Sequence, residues 1–91
     1  MGKLAKFLQL ILSGTSDQNI AFTDLRNFLK RIGFIERIRG DHYIFSKDGI
    51  SEIINLQPAG AKAKPYQVKQ VRGIIVGYKL ANLNEGEADA D

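Results

Sequence analysis

The sequence predicts an α+β domain of order α-β-β-β-α, preceded by one additional helix. Three observations carry that prediction. Two amphipathic helical stripes fill the first third of the chain. Between residues 34 and 57 the pattern shifts to short β-type runs, broken by the turn pairs Gly40-Asp41 and Asp48-Gly49. Helical spacing returns after Pro65.

The first stripe is Leu4, Phe7, Leu8, Ile11 and Leu12, at i, i+3, i+4, i+7 and i+8, and Gly14 offers a left-handed stop. This predicts a helix over residues 3–13. Thr15 to Asn19 reads as a loop, and Thr23 is a candidate cap for a second helix with the stripe Leu25, Phe28, Leu29 and Ile32. Asp24 suits the positive end of that helix, Lys30 and Arg31 its negative end, and Gly33 the C′ position.

Phe34 to Arg39, His42 to Lys47 and Ile50 to Gln57 then read as a three-stranded antiparallel meander. Gly40-Asp41 and Asp48-Gly49 fit type II′ and type I′ hairpin turns respectively. Apolar residues fall on both faces of these strands, so the pattern alone does not assign the buried face. Pro58 to Lys64 is expected to be a loop. The last helix begins at Pro65 and carries the stripe Val68, Val71, Ile75 and Tyr78; Gly73 and Gly77 within it suggest close packing against the sheet.

The chain has 91 residues and no cysteine, which leaves room for one domain, residues 1–81, and makes a reducing compartment the expected setting. The apolar stretch Leu4 to Leu12 is interrupted by Lys6 and Gln9 and is too short for a membrane span, so a cytoplasmic protein without membrane attachment is expected. Four of the ten acidic residues, Glu85, Glu87, Asp89 and Asp91, lie in the last seven positions. The other six stand against 13 Lys and Arg, so residues 1–84 carry seven net positive charges. Such a body suits a polyanion or an acidic protein. Residues 82–91 form an acidic tail with little to bury and are expected to be disordered.

His42 is the only histidine, and histidine is the side chain whose ordinary titration falls near neutrality. RNA is cut without metal when a base takes the 2′-hydroxyl proton, an acid protonates the leaving 5′-oxygen and cations stabilise the pentavalent phosphate. His42 is the candidate proton-transfer group, and Arg37, Arg39 and Lys47 of the same meander are candidate phosphate ligands. Tyr43 points to the opposite face of its strand. Lys62 and Lys64 precede the last helix, where a bound phosphate would make their placement favourable. No metal or cofactor is called for. On residues alone three classes stay open: a metal-independent nuclease, a non-catalytic RNA-binding module, and a basic protein-interaction subunit.

The stretches Phe22-Thr-Asp-Leu25, Leu29-Lys-Arg-Ile-Gly-Phe34 and Arg39-Gly-Asp-His42-Tyr-Ile-Phe45 resemble the HicA-type toxin ribonucleases of toxin–antitoxin modules. The resemblance covers about residues 20–79, so the helix over 3–13 would be an N-terminal addition. Members of that family have a double-stranded-RNA-binding (dsRBD)-like α-β-β-β-α fold and a Gly-Ser-His motif opening the second strand, with its histidine catalytic. Here Gly40, Asp41 and His42 occupy that place. The resemblance implies an endoribonuclease that cleaves messenger RNA through His42 and is inhibited by a cognate HicB-like antitoxin.

Overall fold

The computed structural model describes residues 2–81 and contains the expected helices and three-stranded sheet in the expected order. Helix α1 spans Lys3–Ser13 and buries Leu4, Leu8 and Ile11; Gly14 ends it at φ +70°, its N–H donating to the Ile11 carbonyl. A single 3₁₀ turn at Asp17–Asn19 leads to helix α2, Phe22–Arg31. The meander follows as β1 (Ile35–Arg39), β2 (His42–Lys47) and β3 (Ile50–Leu56) in spatial order 1-2-3, both pairs antiparallel. Helix α3, Pro65–Gly77, closes the fold. No helix among the described residues is long and apolar enough to cross a membrane. The acidic segment 82–91 lies outside the described residues.

One apolar layer joins these elements. Phe45, Ile54 and Leu56 on one face of the sheet lie in the same core as Leu25, Phe28 and Leu29 of α2 and Val68, Val71 and Ile75 of α3. Leu4, Leu8 and Ile11 of α1 extend it. Among the described residues nothing covers the other face, where Ile35 and Ile53 are each more than 60% exposed. The helices therefore decide which strand face is the inside.

Several local expectations change. Thr23 does not cap α2: the helix starts at Phe22, Ala21 is the N-cap residue, and no side chain caps the end. Instead the Phe22 N–H donates to the Ala61 carbonyl at 2.9 Å, so an orphan donor of the first turn is satisfied from across the fold. That contact exists because Pro58 to Lys64 is not a plain loop. Pro58–Ala59 (β4) and Lys62–Ala63 (β5) form a small hairpin, turned at Gly60 with φ +63°, and Lys62 bridges Ala21.

Phe34 belongs to the stop of α2 and not to β1. Its N–H donates to the Leu29 carbonyl at 3.0 Å while that of Gly33, at φ +107°, donates to Lys30. This is the paired closure of a Schellman motif, with buried Phe34 as its apolar lock.

At the second hairpin only Gly49, at φ +87°, has positive φ. A type I′ turn needs it at both central residues. The irregularity in β2·β3 pairing between Phe45 and Lys47 accompanies that difference. Gly73 and Gly77 are exposed, with open space where a Cβ would stand, so they do not serve close packing; Val68, Val71, Ile74 and Ile75 make the buried side of α3.

Two guanidinium–carboxylate forks brace the layers. Arg72 of α3 donates from Nη1 and Nη2 to the two Asp17 oxygens, each at 2.9 Å, and from Nη1 to the Ile11 carbonyl at 3.0 Å, so it also caps the end of α1. Arg26 of α2 donates to both Glu36 oxygens, at 2.7 and 3.1 Å, and lies 4.5 Å from the Tyr43 ring centroid. Hydrogen bonds from Arg72 and Arg26 hold the Asp17 and Glu36 carboxyls below the ordinary carboxylate range. Below about pH 5 the unfolded chain therefore binds more protons than the folded one. Stability from both pairs is complete above the unfolded carboxylate values and is lost as pH falls through them toward the depressed folded values. Thermal melts should show a constant midpoint from pH 7 to about 5.5 and a decline toward pH 3. Asp17→Asn with Glu36→Gln should lower the plateau and flatten the decline; an unchanged decline would place the acid sensitivity elsewhere.

Candidate nucleic-acid interface

Strand alternation and register place the candidate residues. Arg39 stands opposite His42 across β1·β2, and Arg37 opposite Ile44, which itself stands opposite Asn55 of β3. Side chains two apart on a strand share a face. Arg37, Arg39, His42 and Asn55 therefore lie together on the uncovered side of the sheet. Tyr43 points the other way, its ring 4.9 Å from that of Phe22 in an edge-on contact.

Gly40 makes this arrangement possible. At φ +61° it turns β1 into β2, while Asp41 does not have positive φ, as a type II′ turn requires. His42 is thus the first residue of β2, with its side chain 46% exposed.

Around the imidazole the structure assembles a polar cluster. His42 Nδ1 is 3.2 Å from Asn55 Oδ1, and Nε2 is 3.4 Å from Gln57 Nε2 and 3.7 Å from Asp41 Oδ1. Gln57 Nε2 also donates to Asp41 Oδ2 at 3.3 Å, and Gln57 Oε1 accepts from Lys64 Nζ at 3.4 Å. Lys64 is the N-cap residue of α3. One amide side chain therefore connects the histidine, its neighbouring carboxylate and a lysine from another element.

Gln67 holds the strand end that carries Asn55 and Gln57. It is 3% exposed on α3; its Oε1 accepts from the Gln57 backbone N–H at 3.3 Å, and its Nε2 donates to the Asn55 carbonyl at 3.4 Å. Buried amides are favourable only when so paired. The first turn of α3 thus fixes the backbone on both sides of Leu56.

Of the residues singled out from sequence, Arg37, Arg39, Asp41, His42 and Lys64 come together. Lys47 lies at the far end of β2, with its Nζ 2.6 Å from where a Cβ on Gly33 would stand. Lys62 donates to Asn19 Oδ1 at 3.1 Å, tying the small hairpin to the 3₁₀ turn. Lys62 and Lys64 are thus drawn to different partners, Asn19 and Gln57. Asn55, Gln57 and Gln67 were not among the sequence candidates. Asn55 and Gln57, two apart at the end of an apolar strand, were a signal for the open face; nothing local marks Gln67.

A groove between α1 and α2, lined by residues including Leu4, Phe7, Asp24 and Arg31, contains none of the cluster. The histidine sits on an open surface, which is how an extended polyanion is met. Compared with protein-family models, curated proteins and solved structures, the chain matches none.

Proposed function

We propose that this protein is a cytoplasmic endoribonuclease toxin similar to the HicA type, cleaving messenger RNA by attack of a 2′-hydroxyl on the adjacent phosphate. The observation that carries the reading is the placement of the only histidine on an uncovered sheet face beside Arg37 and Arg39, linked through Gln57 to Lys64. His42 takes the 2′-hydroxyl proton as the 2′-oxygen bonds to phosphorus. The P–O5′ bond breaks, and the departing oxygen takes a proton from solvent, since the chain has no second histidine. Arg37, Arg39 and Lys64 neutralise the pentavalent phosphate and hold the strand. This chemistry asks for no metal or cofactor.

A HicB-like antitoxin then inhibits by covering the same face. The basic body attracts an acidic partner, and Arg37 and Arg39 would serve both ligands. RNA and antitoxin should therefore exclude each other.

The test is incubation of the full chain with end-labelled RNA in excess chelator. The expected products end in a 2′,3′-cyclic phosphate, and a substrate with a single 2′-deoxy nucleotide at the cut site stays whole. RNA that is bound but never cut would make the protein a binding module; RNA neither bound nor cut would leave a protein-interaction subunit.

A further inference from the structure

We infer that Gln57 and Asn55 are positioning residues that hold neutral His42 in its Nδ1–H tautomer, with the Nε2 lone pair presented as the base. The inference rests on the ribonuclease reading only for its consequence on rate; the tautomer itself follows from the hydrogen-bond network.

Lys64 fixes the orientation of the Gln57 amide. An ammonium has three donors and no acceptor, so the Gln57 atom facing Lys64 Nζ at 3.4 Å must be the carbonyl oxygen. A carboxylate only accepts, so the Gln57 atom facing Asp41 Oδ2 at 3.3 Å must be the amide nitrogen. Two independent contacts thus orient this side-chain amide the same way. Its second N–H is directed at His42 Nε2, 3.4 Å away. Nε2 is then the acceptor nitrogen, and a neutral imidazole must carry its proton on Nδ1. Nδ1 in turn needs an acceptor, and Asn55 Oδ1 stands 3.2 Å from it. The oriented Gln57 amide selects this tautomer and Asn55 Oδ1 supplies the acceptor it needs, and the favoured form is opposite to the one that free histidine prefers in water.

The long contact from Gln57 keeps the lone pair aligned without tying it up, so a 2′-hydroxyl can displace the amide. After proton transfer Nε2 becomes a donor and can no longer face the Gln57 amide. Asp41 Oδ1, already 3.7 Å away, is the acceptor in reach. The aspartate beside the histidine thereby gains a role in receiving the imidazolium.

Because His42 is the only histidine, ring ¹⁵N shifts of the full-length protein report on it without assignment ambiguity. At a pH where the ring is neutral, long-range ¹H–¹⁵N spectra should show a protonated Nδ1 and an unprotonated Nε2. Gln57→Glu, which places an acceptor against Nε2, should put the proton there and lower cleavage at least tenfold. Asn55→Ala should give mixed tautomers, and Asn55→Asp, which retains the acceptor, should restore Nδ1–H. A wild-type spectrum with Nε2 protonated, or a Gln57→Glu spectrum identical to wild type, overturns the inference. Nδ1–H without any RNA cleavage would instead sink the ribonuclease reading and leave the tautomer assignment standing; cleavage with Nε2–H would do the reverse.

Discussion

Replacing His42 by alanine should reduce RNA cleavage by at least about a hundredfold, the lower end of what a positioned general base contributes, and leave the fold intact. The separation of these effects follows from where the side chain sits. It is nearly half exposed, at the first position of β2, and is not one of the buried residues of the core. Its contacts to Asn55, Gln57 and Asp41 are themselves on the surface, so solvent replaces them when the ring is removed. Surface substitutions of this kind usually change stability by less than about 0.5 kcal/mol. Cleavage kinetics and a thermal melt on the same preparation check both halves. Undiminished cleavage by a folded His42→Ala protein would remove the histidine from the reaction.

Phe45→Ala, three residues along the same strand, should produce the opposite pattern. Phe45 is fully buried in mid-sheet, with Glu36 and Ile54 as its cross-strand neighbours. Truncating a buried phenylalanine costs about 3–5 kcal/mol in lost transfer free energy and residual cavity. A domain of this size has roughly 5–15 kcal/mol in total. In a 60–100-residue domain each kcal/mol moves the midpoint by about 4–8 °C, so the melt should fall by more than about 10 °C. Activity per folded molecule should persist at low temperature, because the open face keeps all its groups. A midpoint within a few degrees of wild type would mean that the sheet does not bury this face as described.

The two substitutions together probe a division that the strands could not declare by themselves. Ile35, Ile44 and Ile53 project from one face and Phe45, Ile54 and Leu56 from the other, so both faces read as apolar. Only the docking of α2 and α3 selects the inner one, and with it the side on which His42, Arg37 and Arg39 meet solvent.

The features legible along the chain are local: helix stripes at 3.6-residue spacing, the left-handed glycines Gly14 and Gly33, and the turn pairs at 40–41 and 48–49. These depend on backbone sterics and on neighbours within four residues. They place α1, α2, the meander and α3 to within a residue or two. His42, Arg37 and Arg39 could be grouped for the same reason, since one hairpin with a two-residue turn sets their register. The remaining contacts arise from packing between distant segments. The start of α2 is satisfied by the Ala61 carbonyl, 39 residues away along the chain, in place of the Thr23 cap. Arg72 finds Asp17, Gln67 finds the backbone of Asn55 and Gln57, and Lys64 reaches the Gln57 amide beside the histidine while Lys62 goes to Asn19. A polar side chain has no period to betray its partner. It goes to whichever donor or acceptor the packed layers leave unsatisfied, and that is settled only when α3 closes over the sheet.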